Sequence, residues 1–362
     1  MRYGTCKIMN KKVRSAQLIK RCSNGRHLLS VLPTVFCVIC SVLISNVSIA
    51  ANRGDKVLSA NLNNCLQEIG SQLRIEGATF VMGDNSAYRE EGPAHEVTIS
   101  SFWIDEHEVT NGQFAEFVAH TGYVTVAERQ PKPADWPGVP VESLEPGSTV
   151  FTPPHNGSAN WWSYVGGADW RHPEGSMSSI EDKNNYPVVH VAWEDAQAYA
   201  NWAGRQLPTE AQFELVARGK RNSTYPWDGG ELAPDGHHHA NTWQGNFPVE
   251  NTADDHHVGL APVGCFKPND FGAYDLIGNV WEWTTNWYAP GHSPSDNLNP
   301  DGPAEDQSFD YANAGFPVKV IKGGSYLCAP NYCMRYRPAA RQAADTGLGT
   351  SHIGFRTVKA IR

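Results

Sequence analysis

Short apolar runs and alternating side chains predict two strands where the ordered part of the chain begins. Residues 78–83 contain three consecutive apolar side chains and end at Gly83. Residues 96–104 alternate apolar and polar side chains, which is the period of a strand with one buried face. We therefore expect one strand over 78–83 and a second over 96–104.

Three later segments carry the signals of helices. Thr110 and Gln113 have the spacing of a capping box, in which each side chain bonds the backbone N–H of the other residue. A second helix is expected over 194–203. A third is expected over 208–219, where another capping-box spacing follows a proline. The second and third segments both end at a glycine, the residue that most often ends a helix.

Long stretches without either periodicity separate these elements. Residues 128–180 are rich in Pro, Gly and Trp and predict a long ordered excursion, and short strands with turns are expected after Tyr225. The chain contains 33 Gly and 24 Pro, which is typical of a fold made largely of turns and loops. The pattern indicates one compact α+β domain over 76–362.

The first 50 residues have the composition of an export signal. They hold eight basic and no acidic side chains, then an apolar run over 28–44, then Ser48 and Ala50. We expect cleavage before Ala51 and a polar linker over 51–75, with a short helix near 62–73. Because the basic region is long, an uncleaved membrane anchor remains an alternative.

An exported protein with this signal is located either in a bacterial periplasm or in a eukaryotic secretory lumen. The C-terminus has no retention signal of the Lys-Asp-Glu-Leu kind, which favours the periplasm. Without residues 1–50 the chain has 21 basic and 38 acidic side chains, a formal charge of −17. An acidic body repels phosphate backbones, so nucleic acid is excluded as a partner, whereas a cationic peptide or a bound cation fits.

Four cysteines lie outside the export signal and fall into two groups. Cys65 and Cys265 either pair with each other or stay free. Cys328 and Cys333 lie five residues apart, just before Arg335. Guanidinium groups favour the thiolate, and paired thiolates are soft ligands that prefer Cu(I) or Zn²⁺. A short-loop disulfide between Cys328 and Cys333 is the alternative.

Two loops rich in Asn, Asp and Gly are candidates for calcium. One combines residues 241–242 with 251–257, and the other covers 275–282. Calcium takes six to eight oxygens from carboxylates, amides and main-chain carbonyls, and such loops supply them. Asx turns explain the same composition. The chain has no P-loop, no nucleophile elbow and no His-Glu-x-x-His motif, so nothing supports a kinase or a hydrolase.

The chain from Gly77 to Arg356 resembles the formylglycine-generating enzymes, also called sulfatase-modifying factors. Five strings match that family, and several of them are shared by the whole superfamily, including members with other activities: 77–83, 170–175, 205–210, 278–283 and 354–356. The specific signature is 323–328 together with Tyr332 and Cys333. The resemblance implies a compact α+β variant of the C-type lectin fold with little regular secondary structure.

The resemblance also implies a copper-dependent oxidase that acts on a protein. The family uses O2 to oxidise the cysteine of a Cys-x-Pro-x-Arg segment in an unfolded sulfatase to formylglycine. Cys328 and Cys333 match the active-site pair that holds Cu(I). Ser325 and Trp281 match catalytic positions that line the oxygen pocket. The family norm is a monomer.

Three further residues match the substrate groove. Tyr332 and Arg341 match family positions there, and His352 stands where the family has a substrate-contacting Asn, so peptide preference is expected to differ. Two competing hypotheses remain. One is a superfamily relative with other oxidative chemistry. The other is a non-catalytic binding module, although the inactive paralogues lack the cysteine pair that this chain has.

Matching to the family also assigns two structural calcium ions. The first takes Asn241, the Thr242 carbonyl, Asp255 and the His257 carbonyl. The second takes Asp275, the Gly278 and Val280 carbonyls, and Glu282, with Asp275 in place of a more usual Asn. The structural disulfides of the animal relatives are absent, because none of their positions holds a cysteine here.

Overall fold

Short strands joined by long loops make up most of the part of the chain that the computed structural model describes. That part comprises residues 65–66, 69–136, 138–154, 160–221, 223–227, 229–230, 232–312 and 315–361. The predicted export signal over 1–50 and residues 51–64 of the predicted linker lie outside it. The described residues fall within one unit, Leu62–Arg362.

The first sheet joins the two ends of the fold. It has three strands in the order β1 (Gln72–Ile75), β4 (Phe102–Asp105) and β11 (Val358–Ala360), and both neighbours run antiparallel to β4. The sequence interpretation differs here, because it assigned residues up to 75 to a linker with a short helix. The side chain of Ile75 is fully buried, so its burial makes this segment part of the core.

The second sheet lies at the centre of the fold. Its order is β10 (Ile353–Gly354), β7 (Trp281–Trp287), β8 (Val318–Lys322) and β9 (Arg341–Asp345). β10 runs parallel to β7, and the other two pairings are antiparallel. Every residue of β8 is buried. Packing therefore fixes the position at which the loop after β8 begins.

Two separate hairpins complete the strands. β2 (Ala78–Met82) pairs with β3 (His95–Ile99), and β5 (Gly147–Phe151) pairs with β6 (Trp162–Gly166). The single strand predicted over 96–104 is therefore two strands, β3 and β4. Between them, the Asn299 side chain accepts the backbone N–H of Ser100, and the chain passes from the hairpin into the first sheet. The predicted excursion over 128–180 contains β5 and β6.

The three predicted helices are confirmed within a residue or two. They are α1 (Asn111–Thr121), α2 (Trp193–Trp202) and α3 (Glu210–Arg218). Thr110 and Thr209 form capping boxes with Gln113 and Gln212, as their spacing predicts. Short 3-10 helices occupy parts of the loops: Arg89–Glu91, Val126–Glu128, Pro133–Asp135, Val141–Ser143 and Glu305–Gln307. Among the described residues, no helix is long and apolar enough to cross a bilayer.

Large aromatic side chains fill the core, as expected for a fold with little regular structure. Trp170, Trp281 and Trp283 are buried together with Phe114, Tyr199 and Phe355 in the main cluster. A disulfide between Cys65 and Cys265 ties the start of the described chain to a loop 200 residues away in the sequence. Leu66 also donates its backbone N–H to the Gly264 carbonyl.

Buried charges link α3 to the central sheet. Glu210 accepts two bonds of 2.8 Å from Arg341 of β9 and lies 3.4 Å from the Lys322 ammonium of β8. Lys322 also bonds Glu214 at 3.0 Å. Burial alone would raise the pKa of Glu210, but Arg341 and Lys322 hold it at about 2, below its ordinary value of 4.5. All four side chains are buried.

Replacing Glu210 by Gln should destabilise the fold by about 3 to 5 kcal/mol at pH 7, because Arg341 is left buried without its counter-charge. A lowered folded-state pKa contributes stability that is complete above about pH 4.5 and is lost as the pH falls to about 2. The difference between wild type and Glu210→Gln in urea unfolding should therefore shrink over that interval. Glu194→Gln is the matched control, since Glu194 pairs with Arg129 at the surface and should change stability by less than about 1 kcal/mol. An equal effect of the two substitutions at pH 7 would contradict the assignment.

Candidate active site

The cysteine loop, residues 323–335, begins with a glycine pair that follows β8. Gly323 and Gly324 have φ angles of 94° and 78°, which side chains rarely adopt. A Cβ on Gly324 would also lie 2.9 Å from the Arg335 carbonyl oxygen. The chain can therefore turn here and return beside itself only with glycine at this position.

Two consecutive turns in the cysteine loop bring the thiols together. The Cys328 N–H donates to the Ser325 carbonyl at 2.9 Å, and the Cys333 N–H donates to the Ala329 carbonyl at 3.0 Å. The two sulfur atoms lie 3.4 Å apart without a disulfide bond. Cys328 is buried, whereas Cys333 is partly exposed. Cys328 and Cys333 are therefore free thiols in the structure, and the alternative of a disulfide between them is not observed.

The two thiols differ in charge. Burial raises the pKa of Cys328, and the hydrogen bond from the Cys328 S–H lowers the pKa of Cys333 to about 6, with help from Arg335. The pair is thus one thiol that donates to one thiolate at neutral pH. Soft sulfur donors of this kind, partly accessible from one side, fit a Cu(I) ion.

Arg335 and Arg337 bind the segment 88–91 to the C-terminal end of the cysteine loop. The Arg335 guanidinium donates to Glu90 at 2.5 Å and lies 4.0 Å from the centre of the Tyr88 ring. Arg337 forms a two-bond ion pair with Glu91, at 2.5 and 2.9 Å. These contacts fix the cation that lowers the pKa of Cys333. The sequence pointed to the arginines, but their acidic partners lie about 245 residues earlier.

Ser325, Trp281 and His352 lie together next to the turn that carries Cys328, whose N–H donates to the Ser325 carbonyl. The Ser325 hydroxyl oxygen is 3.2 Å from His352 Nδ1, and the backbone N–H of Trp281 donates to the His352 carbonyl at 2.9 Å. Ser325 and Trp281 are buried. Burial lowers the pKa of His352 to about 3, so its imidazole is neutral at neutral pH. The structure thus brings these three predicted residues together with the cysteine pair.

An aromatic wall borders the cysteine loop, formed by Phe151, Trp161, Trp162, Phe247 and Tyr332. Tyr332 stacks on Phe247 with ring centres 4.3 Å apart and meets Trp161 edge-on at 6.0 Å. Sequence reasoning found Tyr332 and missed the others. The Trp161–Trp162 doublet at the start of β6 was the available signal, but no periodicity linked it to the cysteines.

Arg341 is placed differently from the other predicted groove residues. The residue is 2% exposed, and its guanidinium donates to Glu210 and to the carbonyls of Ala289 and Gly291, the last two at 2.7 and 3.1 Å. It borders a separate cavity of about 380 Å³ that also contains His292. These contacts are those of a structural residue, and they leave little of the guanidinium available to a peptide.

The first candidate calcium set has an unsatisfied oxygen. Asn241 Oδ1 is buried without a hydrogen-bond donor, while its Nδ2 donates to the Gly259 carbonyl and to Asn279. Asp255 accepts from the backbone N–H groups of Thr242 and His257, and burial raises its pKa. A buried amide oxygen beside a buried carboxylate is a suitable environment for a hard cation.

The second candidate set lies where buried carboxyl groups outnumber buried cations, and burial raises the pKa of Glu108, Asp275 and Glu282. Glu282 bonds Arg356 through both oxygens at 2.7 Å, and Asp275 accepts the Gly264 N–H at 2.6 Å. Glu108 Oε2 is buried without a hydrogen-bond donor, and its ion-pair contact with Arg356 is long, at 4.0 Å. Three carboxylates thus face one guanidinium, an imbalance that a cation would relieve.

Backbone contacts hold the candidate calcium loops together and against the cysteine loop. Within the described residues, no three His, Cys, Asp or Glu side chains converge to hold a metal, so each set depends on amide and main-chain oxygens as well. A Cβ on Gly278 would lie 2.2 Å from the Asn241 carbonyl oxygen, so the two loops touch there. Gly278 donates to the Gly323 carbonyl at 3.0 Å, and Trp243 donates to the Cys328 carbonyl at 2.9 Å.

Comparisons with known proteins identify close relatives. The chain is 48% identical over 291 residues to the formylglycine-generating enzyme of Mycobacterium tuberculosis, covering 78% of this chain and 96% of that protein. It is 44% identical to the formylglycine-generating enzyme of Mus musculus, covering 78% and 73%. It is also 41% identical to the inactive C-alpha-formylglycine-generating enzyme 2 of Bos taurus, covering 79% and 87%.

A solved structure supports the fold alone. PvdO from Pseudomonas aeruginosa superposes with a TM-score of 0.55 at 20% identity, covering 82% of this chain and all of that one. The model of the sulfatase-modifying factor enzyme 1-like domain matches residues 59–361, which include both sheets, the cysteine loop and the two candidate calcium loops. On this match and the identities above, the chain belongs to the sulfatase-modifying factor family, that of the formylglycine-generating enzymes.

Proposed function

We propose that this protein oxidises a cysteine of sulfatases to Cα-formylglycine. The observation that carries the proposal is the pair of free thiols 3.4 Å apart in a loop that has the signature of the family. Relatives of both the active and the inactive kind match this chain at similar identity, so overall similarity does not separate them. The thiol pair favours the active kind, because the inactive paralogues are expected to lack it.

We also propose that Cys328 and Cys333 hold one Cu(I) ion. The donors fit, since both are sulfur, both are unlinked, and one is ionised at neutral pH. When bound, the ion would supply the redox chemistry between the substrate thiol and O2. Ser325 and Trp281 are buried, whereas Cys333 is partly exposed, so a substrate thiol can reach the pair at Cys333.

The aromatic wall fits an extended peptide that carries Cys-x-Pro-x-Arg. Aromatic faces pack well against proline rings, and Tyr332 is 39% exposed at the outer end of the wall. The acidic character of the chain outside residues 1–50 attracts the arginine of the peptide. The wall and the charge together favour a segment of an unfolded sulfatase over a folded surface.

The activity itself is tested with a synthetic peptide that contains Cys-Thr-Pro-Ser-Arg. Residues 51–362, loaded with Cu(I) and incubated in air, should give an aldehyde that a hydrazide traps and mass spectrometry detects. The matched control peptide has Ser in place of Cys and should stay unchanged. If copper binds and no Cys peptide yields the aldehyde, a superfamily relative with other oxidative chemistry replaces the proposal.

Cys328→Ser and Cys333→Ser should each lower turnover by at least about 100-fold, because a direct ligand matters more than an outer-shell partner. Each should also abolish tight Cu(I) binding, measured by competition with a colorimetric chelator. The double variant Cys65→Ser with Cys265→Ser is the control, since it removes the disulfide and keeps the pair. Retained turnover in either single variant would rule out the copper assignment.

We further propose that the two loops bind structural Ca²⁺ through the residues matched to the family. The first ion would take Asn241, the Thr242 carbonyl, Asp255 and the His257 carbonyl. The second would take Asp275, the Gly278 and Val280 carbonyls, and Glu282. Support comes from the unpartnered Asn241 Oδ1 and from the excess of carboxylates around Arg356.

Calcium at 100 times its dissociation constant should raise the free energy of unfolding by about 2.7 kcal/mol for each occupied site, and a chelator should remove that gain. Asp255→Asn should weaken the effect, because it removes the charge of a ligand. Asp254→Asn is the matched control, since Asp254 is the exposed neighbour of Asp255 in the same loop. Thermal unfolding with and without calcium measures the calcium-dependent stability of both variants. Equal calcium dependence of the two variants would contradict the first site.

We propose that the protein is exported with cleavage before Ala51 and works in a periplasm. The Cys65–Cys265 disulfide supports this, because disulfides persist in oxidising compartments. Expression of the full chain in a Gram-negative host should give a periplasmic protein whose N-terminal peptide begins at Ala51. A membrane-bound product that retains residues 1–50 would show the anchor alternative instead.

A further inference from the structure

His352 is connected to the site through both its backbone and its side chain. Its carbonyl accepts the N–H of Trp281 at 2.9 Å. The preceding residue, Ser351, donates its backbone N–H to Thr149 of β5 at 3.1 Å. The imidazole faces the Trp162 ring of the neighbouring hairpin strand, with ring centres 4.8 Å apart. The side chain is therefore held between the central sheet and the aromatic wall.

The Ser325 hydroxyl is the polar group that the imidazole meets. Ser325 Oγ lies 3.2 Å from His352 Nδ1 and 3.3 Å from the backbone nitrogen of Leu327. Ser325 is fully buried, so its hydroxyl cannot exchange these partners for bulk water. The Leu327 N–H can only donate, which occupies one lone pair of the hydroxyl oxygen.

The proton of the hydroxyl then needs an acceptor. A neutral imidazole has one nitrogen that donates and one that accepts, and isolated side chains prefer the proton on Nε2. In that tautomer Nδ1 is the acceptor, and it is the nitrogen that faces Ser325. Burial and the neighbouring His190 lower the pKa of His352, which keeps the ring neutral and this acceptor available.

The same serine also positions a thiol. Its carbonyl accepts the Cys328 N–H at 2.9 Å, so the orientation of Ser325 and the position of Cys328 belong to one turn. A residue that fixes the hydroxyl of Ser325 thus acts next to the reacting groups without contacting the substrate. This differs from the role expected from the family Asn at this position, which is a substrate contact.

We propose that His352 is a positioning residue: its Nδ1 accepts the hydroxyl proton of Ser325 and holds that hydroxyl in one orientation beside Cys328. The inference rests on the proposed function for its catalytic consequence, but the hydrogen bond exists independently of turnover. Asn can provide a side-chain oxygen near the position of Nδ1, so it can replace the acceptor. Phe preserves a ring against Trp162 and provides no acceptor.

Kinetics separate positioning from substrate binding. His352→Phe should lower kcat by about 10- to 100-fold, the usual effect of losing an outer-shell partner, with KM within about 2-fold of wild type. Ser325→Ala removes the same hydrogen bond together with the hydroxyl itself, so it should lower kcat at least as much as His352→Phe. The double variant should be no worse than Ser325→Ala alone, because the interaction is already lost there. His352→Asn should restore kcat to within a few-fold of wild type.

Three outcomes would overturn the proposal. A raised KM with unchanged kcat in His352→Phe would make His352 a substrate contact. Additive losses in the double variant would make the two residues independent. A His352→Asn variant as impaired as His352→Phe would mean that the ring matters and the acceptor does not. Far-ultraviolet circular dichroism and thermal unfolding identify any variant that fails to fold.

A second measurement works without copper or substrate. In the metal-free protein with ¹⁵N-labelled histidine, His352 should show the Nε2–H tautomer, and Ser325→Ala should move its Nδ1 resonance. A resonance unchanged by Ser325→Ala, or a proton on Nδ1, would contradict the hydrogen bond. If wild type makes no formylglycine yet the resonance moves, the proposed function fails while the hydrogen bond stands, so the two failures are distinguishable.

Discussion

The position of the cysteine pair depends on a network of backbone hydrogen bonds between loops. Trp243 donates to the carbonyl of Cys328, Gly278 donates to that of Gly323, and Tyr326 donates to that of Asn279. The last two bonds join the cysteine loop to the candidate calcium loop 275–282, and the first joins it to the residue that follows Thr242 of the other candidate loop. Loops without regular structure lose much conformational entropy on folding, so such contacts must be supplemented. In our proposal, two bound cations provide that supplement.

The buried ion pairs connect the helix α3 and the C-terminal segment to strands, whereas this network connects loops. Glu210 and Lys322 connect α3 to the strand from which the cysteine loop emerges, and Arg356 joins the C-terminal segment to Glu282 of β7. Each pair stabilises only because its partners are complete, since removal of one charge leaves the other buried. The scaffold is thus sensitive to single substitutions far from the thiols. Arg341 illustrates this: its matched position suggested a peptide contact, and its surroundings are those of a structural ion pair.

Local signals predicted local structure well. Capping boxes at Thr110 and Thr209 gave the starts of two helices, because that motif needs only residues three apart. The split of 96–104 into two strands was not predictable, since it depends on Asn299 from a distant loop. In the site, the family signature identified Cys328, Cys333 and Ser325. It could not reveal that Trp162 and Phe247 lie beside them, because contacts across long sequence separations leave no periodic trace.

The order of the first sheet has a consequence for how this fold is shared among proteins. β1 and β11, the first and last strands, lie on either side of β4, so the chain enters and leaves the domain at one sheet. The chain enters beside Asp105 and leaves beside Phe102, so its two ends lie two strands apart at opposite ends of β4. A segment with both ends in one sheet can be inserted into a loop of a longer polypeptide when linkers span that separation. The fold is therefore suited to insertion as a unit into a longer protein. The domain can be inserted into a multidomain protein, or circularly permuted at a turn far from the cysteine loop, with the three-stranded and four-stranded sheets preserved.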